Sequence, residues 1–279
     1  MARMRYLKIW VGGAILLLLL VCGLAAPFIA PYDPQEQMLE HRLRPPSLGG
    51  QGSGPHWLGT DNLGRDILSR IIYGSRISLL VGATTVVLAG FMGCFLGALA
   101  GYFGDLTDEV ISKISEIFLA FPFLLLAIAL MAFLGQGLVN LILALMMSRW
   151  VQYCRVVRGE VLSLKERDFV VAARALGGRD FYILFRHVVP NTLASVTVIA
   201  TFAMAIVIIA EASLSFLGLG VPPSIPTWGS MLSEGRSYMY RAPWLTIFPG
   251  IAIFVTVFGI NLLGDGLRDI LDPKLRGQR

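Results

Sequence analysis

The sequence predicts an all-α, polytopic membrane protein with six transmembrane helices. Of the 279 residues, 56% are hydrophobic and only 15% are charged, whereas soluble domains carry about 25% charged residues. The apolar residues also gather in runs of about 20, the length that crosses the hydrocarbon core of a bilayer as a helix. We place the six spans at residues 9–30, 77–101, 111–134, 138–157, 192–217 and 244–264.

The first apolar run follows Arg3, Arg5 and Lys8, a pattern that is also typical of a cleaved signal peptide. The run is long enough to span, so we expect a retained anchor. The basic residues indicate its direction, because the cytoplasmic loops of membrane proteins collect Lys and Arg. With the N-terminus inside, the inner segments hold 16 of the 23 Lys and Arg residues. We therefore expect both termini in the cytoplasm.

These spans divide the chain into three predicted parts. Residues 1–76 form an anchor helix and an extracytoplasmic segment. Residues 77–264 form a core of five transmembrane helices, which includes a cytoplasmic loop at 158–190. Residues 265–279 form a cytoplasmic tail.

The second span carries Gly93, Gly97 and Gly101 at four-residue spacing. Residues at this spacing share one helix face, and glycine lets another backbone approach that face closely. We expect tight helix packing here, and a pore-lining face is the alternative.

The extracytoplasmic segment is rich in Pro and Gly over residues 45–55. No Gly-Lys-Ser/Thr follows, so this stretch predicts a flexible connection and not a phosphate-binding loop. We expect Asp61 to cap a helix that starts near Asn62. An apolar face of that helix would lie at the membrane surface, formed by Ile67, Leu68 and Ile71.

The cytoplasmic loop predicts two short helices joined by a turn. Asp168 and Asp180 are the expected N-caps, and Gly177 suits the left-handed position after the first helix. The second helix is expected to end at Pro190. One face of the first helix is apolar and consists of Phe169, Val170, Ala173 and Leu176.

The small residues Ala172 and Ala173 permit close approach by a partner, and a basic rim of Arg174, Arg179 and Arg186 surrounds them. Such a surface fits a groove on another protein. It fits the headgroups of a lipid membrane equally well. The residue pattern alone leaves both interpretations open.

Glu211 lies near the predicted outer end of the fifth span. Acidic residues inside a membrane are costly and often functional. We favour an interfacial carboxylate that is hydrogen-bonded to the ends of spans, with a functional acid as the alternative. The residues that we predict for the pathway or its gate are Glu211, Ser213, Ser215 and Gly218.

Several kinds of site are not predicted. The cysteines (Cys22, Cys94 and Cys154) show no metal-ligand spacing, and the histidines (His41, His56 and His187) do not converge on a metal. No catalytic pair and no Walker A sequence is present, so we expect no ATP hydrolysis by this chain. Nucleic-acid binding is excluded because no basic run is interleaved with aromatic residues. A secondary carrier would require inverted repeats and buried charges, and neither is evident.

Four motifs carry a resemblance that covers nearly the whole chain. In order and spacing they resemble the inner-membrane permease subunits of ABC importers of the dipeptide/oligopeptide/nickel class, specifically the second, C-type permease of the pair. The motifs are Leu58-Gly-Thr-Asp-Asn-Leu-Gly-Arg-Asp66, Ala172-Ala-Arg-Ala-Leu-Gly177 with Arg186-His-Val-Val-Pro-Asn191, Leu214-Ser-Phe-Leu-Gly-Leu-Gly220 with Trp228-Gly229, and Asn261-Leu-Leu-Gly-Asp-Gly-Leu-Arg-Asp-Ile-Leu-Asp-Pro273.

The resemblance implies a type I ABC importer permease fold in the bacterial inner membrane, surrounded by lipid. It implies four partner subunits, namely a B-type permease, two ATP-binding subunits that hold ATP–Mg, and an extracytoplasmic solute-binding protein. Peptides are the expected solute, with nickel, opines or glycosides as alternatives.

The resemblance also gives the cytoplasmic loop a role. The loop resembles the EAA motif that docks onto the ATP-binding subunit in this family, although Val171 stands where the motif has Glu. The coupling residues implied in this way are Asp168, Ala172, Ala173, Arg174, Gly177, Arg179, Arg186 and Pro190.

Overall fold

A computed structural model describes residues 2–47 and 56–271 of the chain, with side chains from residue 6 onward, and the regular elements of this part are helical. They are α1 (Ala2–Leu24), α2 (Ala26–Ile29), α3 (Ile67–Phe103), α4 (Asp105–Leu119), α5 (Phe123–Leu134), α6 (Leu138–Leu164), α7 (Asp168–Ala175), α8 (Asp180–Ile183), α9 (Val189–Phe216), α10 (Trp228–Arg236) and α11 (Trp244–Leu271). A 3-10 turn lies at Leu39–His41 and a π-helical turn at Leu184–Val188. Most of the Pro/Gly connection and residues 272–279 of the predicted tail lie outside the described residues.

The prediction of a helical, multi-pass architecture is confirmed. Within the described residues, four helical stretches are long and apolar enough to cross a membrane, and the number rises to five if α4 and α5 form one broken span. α6 is long enough at 27 residues, but Arg149, Arg155 and Arg158 make it more polar. Length and composition therefore do not establish the sixth span.

The predicted third span is wrong as a single helix. The chain bends by 88° between α4 and α5. Pro122 occupies the position just before α5. Proline disfavours a helical conformation in the residue before it, here Phe121, and has no N–H to continue the helical hydrogen bonds. The break therefore follows from one dipeptide inside an otherwise continuous apolar run.

The predicted helix start near Asn62 is also wrong, because α3 begins at Ile67. Its N-cap is Asp66, whose side chain accepts a hydrogen bond from the backbone N–H of Ser69. Asp61 lies in the preceding loop, where its carboxylate instead accepts hydrogen bonds from two backbone N–H groups of that loop.

The apolar face at the start of α3 lies in the protein and not at the membrane surface. Ile67 is only 1% exposed. It shares a core cluster with Trp228 of α10 and Leu245 of α11, and Ile71 packs against the same cluster. This cluster joins the first turns of α3 to the later helices of the chain.

The glycine face of α3 packs against α6, as predicted. A Cβ atom on Gly93 would lie 2.3 Å from the backbone oxygen of Trp150, and one on Gly97 would lie 2.4 Å from that of Cys154. A Cβ on Gly101 would also meet α6 backbone, at 2.8 Å. Only glycine allows the two backbones to approach so closely.

The 158–190 segment departs from the predicted helix–turn–helix in two ways. Asp168 and Asp180 are the first residues of their helices and not the caps, since the cap positions belong to Arg167 and Arg179. Both aspartates still lie in the first turn of their helices, where the macrodipole favours negative charge. Pro190 does not end the second helix, because α8 continues through the π turn into α9.

Candidate functional site

One face of the 158–190 segment is anchored in the bundle. Val170, Ile183, Leu184 and Val188 have no exposed surface. They form a core cluster with residues of α3 and α6, namely Ala98, Tyr102, Val157 and Val161. The segment therefore has a fixed position relative to two long helices and is not a loose loop.

The other face of the segment is apolar and exposed. Leu176 is 88% exposed at the end of α7, and Phe181 and Tyr182 of α8 are about 60% exposed. The predicted apolar face of α7 is split, because Val170 is buried whereas Phe169 and Leu176 point outward. An exposed apolar surface of this kind marks a contact with another protein or a membrane.

The residues that we predicted for coupling lie at this exposed face. Ala173 is half-buried, and the others, Asp168, Ala172, Arg174, Gly177, Arg179, Arg186 and Pro190, are exposed. Gly177 has a φ of +82°, which confirms the predicted left-handed conformation. This conformation strains residues that carry a Cβ atom.

Tyr102 is a residue of this site that the sequence analysis missed. Its hydroxyl donates a hydrogen bond to Asp180 Oδ1 at 2.9 Å and accepts one from Arg174 Nη2 at 3.3 Å. The hydrogen bond with Tyr102 raises the pKa of the Arg174 guanidinium. Tyr102 thus connects the end of α3 to both short helices of the segment, a contact across more than 70 residues of sequence for which the local pattern gives no signal.

The residues predicted for the pathway do not form one group. Glu211 is completely buried and accepts hydrogen bonds from Ser78 of α3 at 2.8 Å and from Ser215 at 2.9 Å. Ser213 instead bonds to the carbonyl of its own helix at Ile209. Gly218 is exposed in the turn after α9, with a φ of +77°. The structure therefore brings Glu211 and Ser215 together and separates the other two from them.

A buried ionic network lies at the α10 end of the bundle, opposite the 158–190 segment. Asp61 accepts hydrogen bonds from Arg65 Nε at 2.6 Å and from Arg70 Nη1. Both arginines also bind Glu234 of α10, at 2.6 and 2.8 Å. The network joins the loop before α3 to α10.

A second polar chain in the same loop runs through His56. One ring nitrogen of His56 lies 2.9 Å from Asp66 Oδ1, and the other lies 3.1 Å from the ring of His41. The ring of Tyr32 packs on His56 with the centroids 4.6 Å apart. Burial, and secondarily the nearby carboxylates of Asp66 and Glu36, raise the pKa of Tyr32. His41 and His56 are thus neighbours, but among the described residues no three His, Cys, Asp or Glu side chains are arranged so that they could hold a metal ion.

A bundle of long apolar helices with a rigidly held, exposed apolar segment at one end is the architecture of a multi-pass membrane protein. Residues 93–277 match the family described as binding-protein-dependent transport system inner membrane component. Residues 9–46 match the N-terminal transmembrane domain of oligopeptide transport permease C. The chain belongs to this family of binding-protein-dependent inner-membrane transport components.

Curated relatives align over almost the whole chain. The chain is 45% identical to a di/tripeptide transport system permease protein of Pseudomonas aeruginosa, over 95% of this chain and 88% of the relative. It is 45% identical to a glutathione transport system permease protein of Pectobacterium atrosepticum, over 95% and 86%. It is 41% identical to an oligopeptide transport system permease protein of Bacillus subtilis, over 99% and 89%. The resemblance inferred from the four motifs is therefore confirmed.

Proposed function

We propose that this permease carries di- and oligopeptides inward as one half of the translocation pathway of an ATP-driven importer. Its relatives are permeases of di/tripeptide, oligopeptide and glutathione transport systems, which supports this solute class. Glutathione is itself a small peptide. Nickel, opines or glycosides are the alternative solutes of the proposal, and no contact among residues 2–47 and 56–271 favours them.

The exposed face of the 158–190 segment supports the proposed coupling role. Its buried face is fixed to α3 and α6, and its outer face presents Leu176, Phe181 and Tyr182 to a partner. Docking of an ATP-binding subunit would cover this apolar surface and pull on α9, with which α8 is continuous. The proposal therefore includes two ATP-binding subunits that hold ATP–Mg, while this chain hydrolyses none.

The proposed orientation places the α7 end of the bundle in the cytoplasm and the α10 end outside. The predicted parts 1–76, 77–264 and 265–279 keep their assignments in this proposal. The loop before α3 and α10 would then face the solute-binding protein, and the B-type permease would complete the pathway within the bacterial inner membrane.

Uptake into proteoliposomes that contain the complete complex tests this proposal. A labelled dipeptide and labelled nickel are offered separately, each with the cognate binding protein, with and without ATP. ATP-dependent accumulation of the dipeptide supports the peptide assignment. Accumulation of nickel alone would retain the permease and overturn its solute.

The docking role has a separate test. The Gly177→Val variant strains the left-handed turn that leads out of α7 and should reduce uptake per ATP hydrolysed. Gly135→Val is the control, because Gly135 also has a φ of +82° and open space around it but lies between α5 and α6, away from the segment. Equal effects of the two substitutions would contradict a specific role for the segment.

A further inference from the structure

Arg149 occupies an unusual position on α6. It lies 11 residues after Leu138, the first residue of that helix, which places it about 16 Å along the helix axis. Taking α6 as the predicted fourth span, which begins at residue 138, this depth is near the middle of the membrane, because the hydrocarbon core of a bilayer is about 30 Å thick. An ionisable side chain at such a depth is costly and is retained for a function.

The guanidinium of Arg149 has no hydrogen-bond or ion-pair partner among the described residues. Its Nε and Nη2 atoms are buried and form no hydrogen bond, and Nη1 forms no hydrogen bond or ion pair either. It contacts the ring of Phe123, whose centroid lies 4.8 Å from Cζ, and it interacts electrostatically with the buried Tyr153 hydroxyl, to which it is not hydrogen-bonded. A cation–π contact offsets only part of the cost of a desolvated charge.

The break between α4 and α5 lies beside this guanidinium. Phe123 is the first residue of α5 and lies 11 residues before its last residue, Leu134, so the break has about the same depth as Arg149. Leu119 and Phe121 are about half exposed at the break. α5 also begins without a side-chain cap for its first N–H groups.

An exposed break at this depth restricts what can lie next to it. Non-helical backbone at membrane depth is tolerated only where it is buried in protein or lines a water-filled cavity, because lipid cannot hydrogen-bond to it. Interrupted helices near the bilayer midplane form solute sites in other classes of transporter, with helix amino ends directed at anionic groups. The unpaired positive charge and the uncapped helix end both favour an anion.

We infer that Arg149 binds the carboxylate of a peptide solute as it passes the middle of the membrane, beside the α4–α5 break. This inference rests on the proposed function, because it takes the solute to be a peptide with a free carboxyl group. A carboxylate and a guanidinium match in charge and in planar geometry. The carboxylate meets Nη1 first, since Nε and Nη2 have no exposed surface, and displacement of the Phe123 ring opens the rest of the guanidinium.

The test compares a labelled dipeptide with its C-terminal amide in proteoliposomes that contain the whole complex and an unchanged binding protein. For each solute, uptake by Arg149→Gln is divided by uptake by wild type, so that the preference of the binding protein cancels. We expect uptake of the free-carboxyl peptide to fall about tenfold or more, as for the loss of one charge-assisted pair, while uptake of the amide changes less than about twofold. Arg149→Lys, which keeps the charge, should restore part of the uptake.

Arg155→Gln is the matched control, because Arg155 lies on the same helix with an exposed side chain and no role in this site. If Arg149→Gln reduces the uptake of both solutes equally, the inference is overturned. That result is expected if Arg149 pairs with an acidic residue of the second permease or only supports the fold. Subunit stoichiometry and basal ATPase activity separate those two cases. Failure of wild type to carry any dipeptide would instead overturn the proposed function.

A binding measurement decides the outcome if the amide is not delivered by the binding protein. Binding is measured on the complex without the binding protein. The free-carboxyl dipeptide should bind about tenfold more tightly than the amide to wild type, and the two should bind equally tightly to Arg149→Gln. No preference on wild type, or no dipeptide binding at all, would contradict the inference.

Discussion

Tyr102, at the end of α3, donates a hydrogen bond to Asp180, at the start of α8. This contact joins α3, the longest of the described helices, to α8, which continues through the π turn into α9. Since the same hydroxyl also accepts a hydrogen bond from Arg174 of α7, one phenol fixes both short helices to the bundle.

Tyr102→Phe should therefore loosen the segment without removing its exposed face. We expect a stability loss of about 1 kcal/mol, because Asp180 is largely exposed and water replaces part of the lost bond. ATP hydrolysis should persist while the solute accumulated per phosphate released declines. Tyr240→Phe serves as control, because Tyr240 is 97% exposed at the opposite end of the bundle. An unchanged ratio of solute to phosphate would show that the hydrogen bond has no part in coupling.

Leu176→Asp should prevent docking while the permease still folds. Leu176 is 88% exposed, so the substitution should change the free energy of unfolding by less than about 0.5 kcal/mol. A charge at the centre of an apolar interface is poorly tolerated, and the ATP-binding subunits should be lost during affinity purification of the permease. Leu39→Asp, at a residue 68% exposed in the loop before α3, should leave their recovery unchanged. Full recovery with Leu176→Asp would place the docking contact elsewhere.

Gly97→Ala should separate α3 from α6. The added methyl group would lie 2.4 Å from a backbone oxygen, which cannot move without displacing α6. Overpacking of this kind costs about 1–3 kcal/mol. Gly159→Ala is the matched change on α6, where a Cβ meets nothing within 4 Å, and the better helix propensity of Ala should stabilise it by up to about 1 kcal/mol. Thermal unfolding midpoints of the purified permease should therefore shift in opposite directions.

Arg70→Gln should destabilise the α10 end. Arg70 is 1% exposed and lies between Asp61 and Glu234. Loss of Arg70 leaves Arg65 as the one arginine bound to both carboxylates, and breaking a buried ion pair costs about 3–5 kcal/mol. Denaturant unfolding of the permease measures the effect, which salt should change little because the group is buried. Arg76→Gln is the control, since Arg76 is exposed on the same helix; similar losses for both arginines would mean that the network contributes nothing specific.

Local patterns in the sequence were sufficient for the features that depend on neighbouring residues. The apolar runs predicted the positions of the long helices, and the four-residue spacing of Gly93, Gly97 and Gly101 predicted a close packing face. Gly177 could be assigned to a left-handed turn because few other residues adopt that conformation. Each of these properties depends on a window of a few helical turns.

Features that join distant parts of the chain could not be predicted in this way. Arg65 and Glu234 are 169 residues apart, and only the fold brings them within 2.6 Å. The α4–α5 break had a local signal in Phe121-Pro122, but averaging hydrophobicity over a whole span conceals a single proline. At Pro190 the error was the opposite one, because we predicted a helix end where the helix continues. The π turn directly before Pro190 accommodates a residue that has no N–H to donate.

The continuity of α8, the π turn and α9 gives this protein a single rod of 37 residues, from Asp180 to Phe216. At 1.5 Å per residue the rod is about 55 Å long, so a tilt of about 5° around one end displaces the other end by about 5 Å. Glu211 lies near the far end and is hydrogen-bonded to Ser78 of a different helix. A small push on the rod at one membrane surface would therefore strain a single buried hydrogen bond close to the other.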